Sequence, residues 1–380
     1  MKVTVAIDSF KGSLSSLEAG SAVKEGILKV YENAEVKVFP LADGGEGTRE
    51  ALTLGMGGEL INTEVHDPLM RKIDATYGII KNERLAIMEM ASASGITLVK
   101  ENERDILNST TYGVGEMIKN AIKKGARNFI IGIGGSATND CGSGMLMALG
   151  FDILDKEGNK IPLGAIGLKD AYKIESKNVI PELKECSFKI ACDVKNPLCG
   201  ELGCSNIYGP QKGATKENIP LMDSYISHFA DVTKEFNSDA DKDYPGTGAA
   251  GGLGFAFKYF LNGELKKGAE IVTESIKIEE DIKDSDLVIT GEGRLDSQTV
   301  MGKAPSAVAI LAKKHGKPCI AFSGCVSEDA ALCNEKGIDA FFPILRNVVT
   351  LDEALDVNNA YENAKNTAEQ VMRLIKIFNK

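Results

Sequence analysis

Residues 3–7, Val-Thr-Val-Ala-Ile, form a β-branched run that stops at Asp8, and apolar positions at Leu17, Ala22, Ile27 and Leu28 then follow in a helical pattern. Residues 35–41 read as a second strand, 42–47 as its loop, and an alanine-leucine helix comes next. The same alternation returns near the far end, where residues 286–290, 318–323 and 340–343 are short apolar strands, each followed by helix-like sequence, the last running to Lys380. Five strands alternating with helices predict a parallel sheet, because parallel neighbours need a right-handed crossover of a dozen or more residues. The simplest assembly is an α/β, flavodoxin-like domain of strand order 2-1-3-4-5.

The middle of the chain is patterned differently. Residues 59–66 and 74–80 alternate like a hairpin, and a helical stretch at 113–122 precedes the apolar run 128–134. The expected organisation is therefore a discontinuous flavodoxin-like domain, 1–59 plus 285–380, interrupted by an inserted mixed α/β domain, 60–284. No internal repeat or low-complexity tract is present.

Composition narrows the class. Of 380 residues 43% are hydrophobic and 26% charged, the balance of an ordinary globular protein long enough for two cores. The net charge of -10 argues against nucleic acid as a partner. Eight cysteines occur with no C-x-x-C, at spacings that match no usual zinc finger, so they read as free and mostly buried thiols. The first residues are too briefly apolar for a signal peptide or membrane span, which makes the cytoplasm the expected location. A homo-oligomer is compatible with all of this.

Chemistry should sit on the loops beyond the carboxyl ends of the strands. Three of these combine acids with glycine: Asp-Ser-Phe-Lys-Gly (8–12), Ala-Asp-Gly-Gly-Glu-Gly-Thr (42–48) and Thr-Gly-Glu-Gly-Arg-Leu-Asp (290–296). Taken singly each would pass as a capping turn; three on one edge suggest a site. In the insert, Gly-Gly-Ser-Ala-Thr-Asn-Asp-Cys-Gly-Ser-Gly (134–144) follows an apolar strand and precedes a helix, which predicts an anion cradle of backbone N–H groups at a helix start. Gly132, Gly134 and Ala137 satisfy G-x-G-x-x-A, but no acid follows at the position that would hold a ribose. A full G-x-G-x-x-G at Gly246, Gly248 and Gly251 lacks a preceding strand, so it reads either as a hinge or phosphate contact, or as a point of close packing. No G-x-x-x-x-G-K-[ST] exists. Asp193, in Ala-Cys-Asp-Val-Lys-Asn-Pro-Leu (191–198), and Lys212, in Tyr-Gly-Pro-Gln-Lys-Gly-Ala (208–214), add the acid and cation that phosphoryl transfer uses.

Six blocks in order, 8–15, 40–48, 132–140, 191–198, 208–214 and 290–299, together resemble the bacterial glycerate kinase family over essentially the whole chain. That resemblance implies ATP and Mg²⁺ as cosubstrates and D-glycerate as acceptor, held in a cleft between a flavodoxin-like domain and its insert. It also implies phosphorylation to 2-phosphoglycerate or, in some members, the 3-phosphate. Carried over by position, Asp8 and Lys11 border the substrate carboxylate or phosphates. Asp43 and Glu46, on one glycine-softened loop, suit the metal or the substrate hydroxyls, and Lys212 binds substrate. Gly134, Gly135, Ser136, Thr138 and Asn139 cradle phosphate. Asp193, Arg294 and Asp296 complete the site, with Asp193 and Asp296 as rivals for the base and Asp43 with Asp193 as magnesium ligands. Cys141 stands where the family usually has glycine, and it would carry strain if that position needs a positive φ. The competing readings are an NAD(P)-dependent dehydrogenase of a small hydroxy acid and a non-catalytic sugar-acid binding protein.

Overall fold

The structure, a computed structural model, describes residues 1–45 and 47–378. The chain divides into two compact units, Met1–Met56 with Gly268–Lys380, and Gly57–Lys267. In chain order its strands are β1 (Lys2–Ile7), β2 (Glu35–Pro40), β3 (Glu59–His66), β4 (Lys72–Ile80), β5 (Leu85–Glu89), β6 (Asn128–Gly132) and β7 (Asp152–Leu154). They continue with β8 (Lys173–Glu175), β9 (Ser187–Ala191), β10 (Glu264–Lys266), β11 (Leu287–Leu295), β12 (Cys319–Val326) and β13 (Ala340–Pro343).

The first unit carries a sheet of order β2–β1–β11–β12–β13, parallel throughout. Counted within the unit this is 2-1-3-4-5, the order expected from the alternation of the chain. Pro40, Ile7, Gly291, Phe322 and Phe342 lie in one register row, so the strand ends that follow share one edge. Val3, Val5 and Ile7 join Ala19, Val23 and Ile27 of helix Ser16–Leu28 and Ala364, Ala368 and Met372 of helix Val357–Phe378 in one buried cluster. Those two helices approach closely at Gly26, where a Cβ would lie 2.2 Å from the Lys365 carbonyl oxygen. A capping box starts the first of them: Ser15 Oγ accepts the Glu18 N–H at 3.3 Å and Glu18 Oε2 accepts the Ser15 N–H at 2.8 Å, worth about 1 kcal/mol.

Two segments depart from the sequence expectation. The block 290–296, expected as a loop, is largely strand, since β11 runs on to Leu295 and pairs Glu292 with Ser323 and Arg294 with Cys325. Glycine permits this, because a Cβ on Gly291 would stand 2.0 Å from the Phe322 carbonyl and one on Gly324 2.6 Å from that of Gly293. The helices Gly268–Ser275 and Ile278–Asp284, which the sequence expectation groups with the insert, fall within the first unit. There Ile271, Val272, Ile278 and Ile282 are buried, and Gly268 seats so tightly that a Cβ would meet the Asp43 carbonyl at 2.1 Å.

The second unit is mixed α/β. Its main sheet has the order β10–β9–β6–β5–β4–β3, the first four strands parallel and the hairpin β3–β4 antiparallel at the far side; β7 and β8 form a small separate pair. Phe129 and Phe188 stack at 4.8 Å within a core that includes Ile131, Ile190 and Phe257. Glu89, Gly132, Ala191 and Lys266 form one row across the carboxyl edge, so the loop after β6 and the turn holding Asp193 emerge side by side. No helix among the described residues is long and apolar enough to cross a membrane.

Candidate active site

Three carboxyl groups gather at the carboxyl edge of the first unit. Asp8 follows β1 directly, and its N–H donates to the Gly291 carbonyl at 2.8 Å, which seats it beside Glu292. Asp43 lies on the loop after β2, held by the Gly45 N–H at 2.9 Å. Asp8 is 7% exposed. Burial, then the charge of Asp43, push its pKa up to about 7, with Glu292 adding to the rise and the Ser9 N–H at 2.7 Å and Lys11 opposing it. Burial also raises Glu292, against Thr299 Oγ1, which donates to it at 2.6 Å, and Lys303 at 3.5 Å. Asp8 borders a cavity of about 410 Å³ whose walls include Ser16, Leu41, Ala42, Glu50 and Leu54. A second cavity, of about 450 Å³, is lined by Lys277, Glu279, Leu311 and His315, away from the strand ends. Lys11 and Arg294 are exposed at the same edge as Asp8. Asp296 receives the Gln298 N–H at 2.9 Å and lies 3.8 Å from Arg294 and 3.9 Å from Lys303. Glu46 lies outside the described residues.

In the second unit the loop after β6 is built in two layers. Gly134 and Gly135 are exposed, and a Cβ added at Gly134 would meet nothing within 4 Å. Beneath them Ser136, Thr138 and Asn139 are buried. Lys212, only 2% exposed, donates from Nζ to Ser136 Oγ at 2.6 Å and to the Thr138 carbonyl at 2.7 Å, and burial lowers its pKa to about 8. Asn139 turns inward, donating to Ser205 Oγ at 2.9 Å. The helix that follows, Ser143–Leu149, already has an anion at its start: Asp140 accepts the N–H groups of Gly142 (3.1 Å), Gly144 (3.2 Å) and Thr111 (2.8 Å) and the Thr111 hydroxyl (2.9 Å). The helix start therefore braces the loop, and the open part of the loop is the Gly134–Gly135 side.

The sequence model of the glycerate kinase family matches residues 3–376. The chain is 45% identical over 377 residues to the glycerate 2-kinase of Escherichia coli strain K12, covering 99% of this chain and 98% of that protein. It is 42% identical over 377 residues to the glycerate kinase of Bacillus subtilis strain 168, at the same coverage of 99% and 98%. A crystal structure of a candidate glycerate kinase 2 from Salmonella typhimurium LT2 superposes with a TM-score of 0.91 at 41% identity, covering 100% of this chain and 99% of that one. The chain belongs to the glycerate kinase family.

In this member of the glycerate kinase family Cys141 takes a backbone conformation that favours glycine. Its φ is 52°, the left-handed region, and its N–H donates to the Gly251 carbonyl at 2.9 Å. Ala250, Gly251 and Gly252 are left-handed in succession, and a Cβ on Gly251 would stand 2.1 Å from the Thr138 carbonyl. Of the readings open for the glycine run at 246–251, close packing is the one found: it clamps the loop from behind. Asp193 is exposed beyond β9. It and Asp43 lie on different units, and among the described residues no three His, Cys, Asp or Glu side chains group to hold a metal. Sequence pattern alone does not mark Glu292, Lys303 or Asp140 as members of the site. Glu292 and Asp140 stand inside the blocks 290–299 and 132–140, whereas nothing local to Lys303 marks it.

Proposed function

We propose that the chain transfers the γ-phosphoryl group of ATP to the 2-hydroxyl of D-glycerate, releasing 2-phosphoglycerate and ADP. The observation that carries this reading is the near full-length likeness to a protein named glycerate 2-kinase. The geometry supports it on both sides of the reaction. The second unit offers an open glycine loop backed by a buried ammonium, suited to phosphate. The first unit offers a buried carboxylate beside a cavity large enough for a three-carbon acid.

In this reading the acceptor oxygen bonds the γ-phosphorus as the bond to the β-phosphate oxygen breaks, and the hydroxyl proton passes to a carboxylate. We assign that role to Asp8 rather than to Asp193 or Asp296, because burial next to Asp43 and Glu292 favours its taking a proton, whereas Asp296 is matched by Arg294 and Lys303. Asp43, Lys11 and Arg294 are assigned to the acceptor side. Magnesium binds mainly through nucleotide phosphates and one or two carboxylates, and the exposed Asp193, beside the phosphate loop, fits that need without a pre-built cage. The cytoplasm is the location this chemistry implies.

The dehydrogenase alternative loses its better motif, since Gly246–Gly251 follows no strand and packs against the loop at 138–141. Coupled detection of ADP with D-glycerate, ATP and Mg²⁺ should show glycerate-dependent turnover, and none from folded protein would sink the proposal. Proton-coupled ³¹P spectra of the product settle the position: phosphate on C2 gives a doublet, phosphate on C3 a triplet.

A further inference from the structure

Lys212 is a buried cation whose hydrogen-bond partners are all neutral. Its Nζ has two bonds, to Ser136 Oγ and to the Thr138 carbonyl, and no carboxylate among the described residues lies within salt-bridge distance. The titratable and charged groups around it are few. Asp140 on the same loop and the Cys204 thiol on helix Cys204–Tyr208 act on it electrostatically, and the Arg104 guanidinium binds the neighbouring Gln211 carbonyl at 3.1 Å. Asp140 is occupied by Thr110, Thr111, Gly142 and Gly144, and the Cys204 thiol is pushed up to about 11 by burial. A buried ammonium left in this condition is costly unless another negative charge completes it.

Ser136 shows where that charge would come from. Its oxygen accepts from Lys212, so its own proton must be donated elsewhere, and no acceptor for it exists among the described residues. Directly before it, Gly134 and Gly135 are exposed, with open space at Gly134 where a side chain would stand.

We propose that Lys212 is a positioning residue that acts on a bound phosphate through Ser136, its ammonium fixing the serine hydroxyl as an outward donor and supplying the charge the anion balances. This rests on the reading that the loop receives the nucleotide phosphates. It reassigns Lys212 from direct substrate contact to the underside of the cradle. Because the lysine is held partly deprotonated near pH 8 in the empty protein, an arriving phosphate raises its affinity for the proton, and anion binding and protonation are linked.

The test is calorimetric titration of MgATP, without glycerate, into the full-length protein, in buffers of differing ionisation enthalpy. Wild type should take up a fraction of a proton per nucleotide near pH 8.5, and its Kd should rise about tenfold between about pH 7.5 and 9.5. Lys212→Met should bind at least about tenfold more weakly at the lower pH, with no slope and no proton uptake. Adding Ser136→Ala to it should cost little more, since both act on one contact. If Lys212→Met does not fold, the wild-type titration alone decides. A pH-independent wild-type affinity, or a folded Lys212→Met that keeps the wild-type Kd, overturns the inference while leaving the kinase reading intact. Failure of wild type to bind MgATP at all removes both.

Discussion

A carboxyl group buried against two others costs the folded chain stability at neutral pH, and Asp8 carries that cost. Its folded pKa of about 7 stands above the ordinary 3.8. Between those values the folded protein holds a proton that the unfolded chain has released, so the contribution of Asp8 to stability falls as pH rises through this window and is lowest above 7. Asp8→Asn removes the ionisable group, so its melting temperature should exceed that of wild type by a few degrees at about pH 8, with a smaller gain at about pH 5. The same change should lower kcat by a factor of order 10² to 10⁴ if Asp8 is the base, and the wild-type kcat/KM should fall as pH drops below about 7. Melting curves at two pH values and a rate profile check both halves. A variant that keeps wild-type turnover excludes Asp8 as the base, and an unshifted Tm at the higher pH contradicts the burial cost.

At the scale of elements, the glycine loop after β6 separates two uses of glycine that look alike in sequence. Gly251 is left-handed and packed on the Thr138 carbonyl. Gly251→Ala should therefore destabilise the protein by roughly 3 kcal/mol or more, through backbone strain and a clash with a carbonyl that cannot swing aside. Gly134 faces open space. Gly134→Ala should leave the Tm within about one degree of wild type yet raise the KM for ATP at least about tenfold, because in the proposed site the methyl group would occupy the place of the phosphate. Thermal melts and ATP titrations of the two variants test the pair, and an unchanged KM in Gly134→Ala would remove the cradle from that face. What the sequence could not reveal here is layering. In sequence, Gly134, Gly135, Ser136, Thr138 and Asn139 read as equivalent candidates, but the fold exposes the two glycines and turns Thr138 and Asn139 inward. Likewise the block at 290–296 reads as a loop from its glycines and charges, although those glycines are what let β11 continue beside β12.

For the whole molecule, the strand order of the first unit was legible because parallel alternation leaves few topologies, and short apolar runs, β-branched in β1, mark its strands. The company Asp8 keeps was not, since Glu292 arrives beside it only through the pairing of β1 with β11, at opposite ends of the chain. That pairing also defines which unit can stand alone. The second unit is one continuous stretch, Gly57–Lys267, with a buried cluster that shares no residue with that of the first. A continuous chain of this size with its own core should fold independently. The fragment 57–267, expressed alone, should melt cooperatively and retain binding of MgATP, because Gly134, Ser136, Lys212 and Asp193 all lie within it. It should transfer no phosphate to D-glycerate, since Asp8 and Asp43 are gone. Circular dichroism melts, calorimetric MgATP titration and the ADP assay test each part. A folded fragment that binds no nucleotide would move the phosphate site away from the loop after β6, whereas a fragment that turns over glycerate would remove Asp8 from the chemistry altogether.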